Sequence, residues 1–309
     1  MVLHVRLRIW TVDSSYPCTQ APQKAATDAR SLLTVKDENP IRNQFLNPLD
    51  NPFLAERRSN TAFEATSRII PLISYPRSRN GWIRCLIAAY LISKLEKITA
   101  NDMNRLSITQ LREGAAGISV DNQNVYPIDL LVPDIYFFNN GSYAELEKIG
   151  STSNCSAILS GLQMLPVKSH HAAHDFAAFS HLAFLVRKPE EAITSAGLLL
   201  GEDLNTQSAK DLLEYADSLS LAYQQFMEII IAQLGSKPII IIDTKNPYTG
   251  LLILFRLMGT DNVDLGLFSA VCSRFPVKSG YNKNSPLTEP VHTFISERNL
   301  NQYYEMLKV

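Results

Sequence analysis

The stretch from Ser208 to Asp243, "SAKDLLEYADSLSLAYQQFMEIIIAQLGSKPIIIID", constrains the fold more than any other part of the chain. Ser208 with Asp211 three residues on forms a capping box that starts a helix, and Gly235 followed by Pro238 ends it. Leu212, Ala216, Leu219, Tyr223, Phe226 and Ile230 keep one stripe at three-and-four spacing. A helix over 209–234 therefore has one face that must be laid on a core. The run "PIIIID" at 238–243 offers no polar alternate position, which predicts a strand buried on both faces.

Around this unit the periodicities are mixed. Residues 3–11 alternate between apolar and polar side chains, as a half-buried strand does. From about 13 to 60 the pattern dissolves, and the Asn-Pro steps at 39, 47 and 51 forbid a continuous helix. Phe45, Leu46, Leu49, Phe53 and Leu54 are nevertheless too apolar for a free linker, so 1–60 is read as a strand and an extended arm that lies on its own domain or on a neighbouring subunit. The remaining 61–309 is read as one mostly helical globular domain, with a candidate lobe boundary near 115–165. Helical periods are expected over 61–112 with a break at Pro71–Gly81, in a short piece from Tyr143 to Ile149, over 170–187, over 249–258 and over 293–307. Residues 116–138 are β-rich. The expected class is α+β, predominantly α-helical, with a small central β element and a helical C-terminal half.

Composition sets outer bounds on function. The 46% hydrophobic and 19% charged fractions are those of a folded chain. A formal net charge of −1 supplies no global field for nucleic acid or anionic membrane. The four cysteines, at 18, 85, 155 and 272, form no C-x-x-C pair and read as scattered reduced thiols. No apolar run approaches membrane-spanning length. These features predict an intracellular (cytoplasmic) or virion location and no membrane partner.

Three local patterns carry candidate chemistry. The first, "SHHAAHDFAAFSH" at 169–181, holds four of the six histidines. His170 and His174 have the i, i+4 spacing of a shared metal, whereas His181 lies about 16 Å further along a helix. The H-E-x-x-H glutamate is missing, and apolar residues flank the segment all round, so a buried helix with structural histidines is expected and no cofactor is assigned.

The second pattern is "PIIIIDTKNP". Asp243 at a strand end with Lys245 two residues on resembles the D-x-K half of metal-dependent nucleases, and "LLVPDIYFF" supplies a Pro-Asp pair at Asp134. The resemblance implies a metal-dependent hydrolase or nuclease using Asp134, Asp243 and Lys245. The other reading is that Asp243 opens an Asx turn at "DTKNP". The third pattern is "SRIIPLISYPRSRNGWIRCLIAAYLISK", 67–94, which is basic throughout and interleaves Arg68, Arg77, Arg79 and Arg84 with aromatics including Trp82. Arginines on a loop suit phosphate contacts and aromatics suit base stacking. No P-loop, G-x-G-x-x-G or G-x-S-x-G motif occurs. Taken together, the arm and the basic-aromatic loop predict a structural protein, such as a viral capsid or nucleocapsid subunit. It would self-associate through the arm and contact RNA through Arg68, Arg77, Arg79, Trp82 and Arg84. The metal-dependent hydrolase is the alternative.

Overall fold

Two hydrophobic cores lie on opposite faces of one parallel sheet. In the computed structural model the described residues are 68–107, 111, 118–120, 123–125, 127–133, 155–170, 179–200, 204, 207–234, 238–260, 262–277 and 283–307. The expected strand at 3–11, the arm at 13–60 and the helix at Tyr143–Ile149 lie outside these residues.

The sheet is built from β1 (Ile69–Ser74), β4 (Leu165–Ser169), β5 (Leu182–Val186) and β6 (Ile239–Asp243), in the order β4-β1-β5-β6 and with every pairing parallel. A separate antiparallel pair joins β2 (Ile118–Val120) to β3 (Gln123–Val125), within the segment expected to be β-rich. The fold is α+β and mostly helical, as the sequence predicts.

The first core takes Ile70 and Leu72 of β1, Ala183 and Leu185 of β5, and Ile240 and Ile242 of β6. Against them pack α1 (Asn80–Leu95), α2 (Pro127–Leu131), α3 (Ser156–Gly161), α6 (Tyr248–Leu257) and α7 (Leu265–Arg274). The second core takes Ile73, Leu182, Phe184 and Val186 from the other face. It is covered by α4 (Pro189–Leu200), α5 (Ala209–Gln233), α8 (Thr288–Glu297) and α9 (Asn301–Leu307). Strands β1 and β5 are buried on both faces, and this is why their sequences are apolar at consecutive positions.

Several sequence expectations survive in detail and others are corrected. Helix α5 carries the predicted capping box, with Ser208 Oγ accepting from the Asp211 amide, and its stripe from Ala216 to Ile230 is buried. The strand at "IIIID" also forms, but β6 is an edge strand and Ile239 and Ile241 are only half-buried. The 170–187 segment is not a helix throughout: Leu182–Val186 is β5, in the interior of the sheet. A short strand apolar on both faces and a buried helix present the same run of apolar residues, so periodicity could not separate them. Of β1, Ile69 and Ile70 fell in the helical reading of 61–112, and the other four residues fell in the break read at Pro71–Gly81. Pro71 sits within β1, and pairing with β5 begins only at the next residue, Leu72. Among the described residues, no helix is long and apolar enough to cross a membrane.

Helix α6 sits so close to β6 that Gly250 has no room for a side chain. A Cβ there would meet the Ile241 carbonyl oxygen and the Ile242 backbone, neither of which can rotate away. Gly250→Ala is expected to destabilise the fold by about 1–3 kcal/mol, the usual cost of overpacking. Urea denaturation followed by circular dichroism measures this, and an unchanged midpoint would contradict the close packing of α6 on β6.

Candidate anion-binding site at the carboxyl edge of the sheet

Strands β1 and β5 are neighbours, but the chain leaves them over opposite faces. The connection from β1 toward β4 carries α1 over the first core, and the one from β5 toward β6 carries α4 and α5 over the second. Such a reversal opens a crevice outside the carboxyl ends of the two strands, where ligands of open α/β sheets bind. The polar groups bonded to one another at this edge come from the ends of all four strands.

The β1 end supplies a tight loop, Tyr75-Pro76-Arg77-Ser78-Arg79, that runs directly into α1. Ser78 donates its amide to the Tyr75 carbonyl at 3.1 Å. Arg77 and Arg79 both take left-handed backbone conformations, φ 64° and 60°. For residues with a Cβ this is costly and persists only where surroundings enforce it. Part of that enforcement is Tyr75, 2% exposed and sunk into the second core. Its ring meets Tyr223 edge-on at 5.0 Å and Phe226 at 5.6 Å. Burial pushes the Tyr75 hydroxyl pKa well above its ordinary range. Left-handed residues in a turn direct successive amides to one side, a geometry that suits an anion.

The helix that follows is open at its N-terminus. Arg79 is the N-cap residue of α1, its side chain makes no capping hydrogen bond, and the first turn has no acidic residue. The first amides of such a helix have no intrahelical partner and carry the positive end of its dipole. Asn80, the first residue, is buried and donates Nδ2 to Ser74 Oγ at 2.9 Å, while its Oδ1 is buried without a partner. His170, immediately after β4, brings Nδ1 to 3.1 Å from the same Ser74 Oγ and 3.0 Å from the Ser74 carbonyl oxygen.

From the β5 end comes Arg187, only 4% exposed. Its Nη1 donates to the Arg77 carbonyl at 2.6 Å and its Nε to Glu191 Oε2 at 3.0 Å. The same Oε2 accepts Arg79 Nη2 at 3.1 Å, while Arg79 Nη1 donates to the carbonyl of Thr244, just past β6, at 3.0 Å. Arg77 Nε reaches Ser195 Oγ on α4 at 3.4 Å. Burial lowers the Arg187 pKa; the hydrogen bond to Glu191 opposes that shift, and the neighbouring Arg79 charge adds to it. Two guanidiniums thus share one carboxylate oxygen, and the Arg77 charge lies close enough to Arg187 to oppose its own. Arg187 Nη2 and Arg79 Nε are both buried with no hydrogen-bond partner. A buried charged N–H left unmet is costly, and an oxyanion is the partner that matches it.

The basic-aromatic loop predicted from sequence is divided by the fold. Arg77 and Arg79 stand in the crevice. Arg84 is buried in the first-core layer, donating Nε to the Val132 carbonyl at 2.8 Å and Nη2 to Asp129 at 2.7 Å. Trp82 donates Nε1 to the Phe275 carbonyl at 2.7 Å, and Arg68 donates to the Leu162 carbonyl at 2.9 Å. Sequence reasoning missed Ser74, Asn80, Arg187, Glu191, Ser195 and Thr244. The signal available for Arg187 and Glu191 was "FLVRKPEEAI", an apolar run that ends in basic residues before a proline at the first helical position.

The other candidate chemistry separates. Asp243 forms the Asx turn: its Oδ1 accepts the Lys245 amide at 2.8 Å, and Oδ2 accepts the Tyr304 hydroxyl at 3.2 Å. Burial, followed by the Asp243 charge, pushes the Tyr304 pKa up to about 12. Asp134 and His174 lie outside the described residues, and His170 directly follows β4. Among the described residues, no group of three or more His, Cys, Asp or Glu side chains is placed to hold a metal ion. Cys85 and Cys272 are free thiols, and burial pushes Cys272 up to about 11. Comparison with protein-family models and with curated proteins returns no match.

Arg84 and Arg79 are expected to respond differently to truncation. Arg84→Ala removes the guanidinium that bonds the Val132 carbonyl and the Asp129 carboxylate and should cost about 3 kcal/mol of stability, as breaking a largely buried ion pair does. It should leave anion binding at the crevice unchanged in the fraction that remains folded. Chemical denaturation together with phosphate titration by calorimetry separates the two effects. Lost binding at full stability would place Arg84 in the ligand site instead.

Proposed function

We propose that this protein binds a phosphate- or sulfate-ester ligand of nucleotide type at the crevice, and that it is a transferase for such a tetrahedral oxyanion group. The observation that carries this reading is the pair of buried, unpartnered guanidinium nitrogens, Arg187 Nη2 and Arg79 Nε, beside the uncapped N-terminus of α1. Oxyanions favour helix N-termini for their amides and dipole, and guanidinium forks for their paired N–H groups. The crevice lies where open parallel sheets hold nucleotides.

The chemistry at the strand ends favours a metal-independent reaction. The strands flanking β1 end in Ser169-His170 and Arg187-Lys188. In phosphoryl transfer from nucleoside triphosphates, carboxylates beside the phosphate loop hold the magnesium ion. Glu191 at this edge instead spends one oxygen on two arginines, and Asp243 at the end of β6 accepts the Lys245 amide and the Tyr304 hydroxyl. Arginines and amides alone suit a sulfuryl group, which carries less charge than a terminal phosphoryl group, so sulfuryl transfer is the better match. His170 reaches the same edge from β4 and is suited to take the proton from an acceptor hydroxyl as that oxygen attacks the sulfur, while the bond from sulfur to the nucleotide's phosphate oxygen breaks and the nucleotide leaves as its phosphate anion. Self-association through residues 13–60 draws on a segment outside the described residues. RNA contact loses Trp82 and Arg84 to internal hydrogen bonds, which leaves Arg77 and Arg79 better suited to a small oxyanion.

Calorimetric titration in EDTA with adenosine 5′-phosphosulfate, and with ATP with or without added magnesium, tests this. The full chain should bind the phosphosulfate without metal, and Arg187→Ala should weaken that binding by about tenfold or more, as loss of a charge-assisted hydrogen bond does. His170→Ala should leave binding intact and slow group transfer to an acceptor alcohol by about 100-fold or more, the usual contribution of a general base. No binding of either nucleotide at low salt would refute the proposal, whereas binding of ATP only with magnesium would reassign the chemistry to phosphoryl transfer.

A further inference from the structure

We infer that Glu191 is the specificity-determining counter-charge of the crevice, matching it to a dianionic oxyanion and against more highly charged ones; this rests on the oxyanion-site reading given above. The carboxylate stands in the first turn of α4, where the helix dipole stabilises a negative charge. Its Oε2 alone holds two cations that arrive from different strands, Arg79 Nη2 at 3.1 Å and Arg187 Nε at 3.0 Å. These are the guanidiniums whose remaining buried nitrogens, Arg79 Nε and Arg187 Nη2, lack partners.

Two consequences follow from that placement. One is orientation: the carboxylate fixes one edge of each guanidinium, Thr244 and Arg77 carbonyls fix another, and the free N–H of each is left ready for a ligand. The other is charge. With Arg77, three cations face one anion, so a ligand with two negative charges balances the cluster. A ligand with a third charge meets Glu191 without a further cation to offset it. Charge interactions at this depth are strong enough to discriminate, because solvent screens them less than at an open surface.

The test is the ratio of two affinities. Inorganic sulfate and inorganic pyrophosphate are titrated into the full-length protein at pH 8 in EDTA, for the parent and for three variants, with thermal melting recorded for each. Glu191→Gln retains an acceptor for both arginines and removes the charge, so pyrophosphate should gain on sulfate by about tenfold, the size of one added charge interaction. Glu191→Asp keeps the charge and should leave the ratio near the parent value even if both affinities fall. Arg79→Gln removes a cation and should move the ratio toward sulfate, which keeps the inference testable should Glu191→Gln fail to fold. A ratio unchanged in a folded Glu191→Gln or Arg79→Gln variant would overturn the selector role while leaving the site itself standing. Failure of the parent to bind either anion would instead sink the site reading, and this inference with it.

Discussion

The parallel pairing of β1 with β5 is the constraint on which the rest of the molecule depends. Three registered positions, Leu72 with Ala183, Ile73 with Phe184 and Ser74 with Leu185, set two strand ends side by side. Because the outgoing chain crosses opposite faces from there, the pairing divides the apolar residues into two cores and leaves a crevice between the departing loops. Without it, the arginine loop after β1 and Arg187 after β5 would have no reason to meet. Every polar contact of the candidate site is downstream of this backbone register.

The crevice is assembled against local preference. Two left-handed arginines and two guanidiniums gathered on one carboxylate oxygen each raise the free energy of the folded chain. The offsets are visible: Tyr75 driven into the second core beneath the loop, Glu191 shared by two cations, and main-chain carbonyls of Arg77 and Thr244 bound by guanidinium nitrogens. A fold that bears such costs at one edge, with Arg187 Nη2 and Arg79 Nε still unpartnered, is consistent with a site that a ligand completes. The same residues read as RNA contacts in the linear sequence because charge and aromatics cluster there, yet burial of Arg84 and the Trp82 hydrogen bond remove two of the five from the surface chemistry.

Features that depend on near neighbours in sequence were legible. The capping box at Ser208, the stripe of α5, the Asx turn at Asp243 and the helices read at 249–258 and 293–307, observed at 248–257 and as the two helices 288–297 and 301–307, all rest on groups a few residues apart. Their hydrogen bonds and side-chain faces repeat with a local period, so sequence alone determined a mostly helical α+β chain and the presence of a strand at 239–243. Most of β1 fell in the break read at Pro71–Gly81, and β5 was read as helix because burial on both faces erases the period-two alternation that marks a strand. That burial is imposed by layers that come from elsewhere in the chain. Only the tertiary structure decided which arginines share a site: Arg79 and Glu191 are 112 residues apart, and Arg187 and the Arg77 carbonyl 110. No local pattern encodes such a meeting, since it is fixed by strand register and by the side of the sheet on which each connection returns.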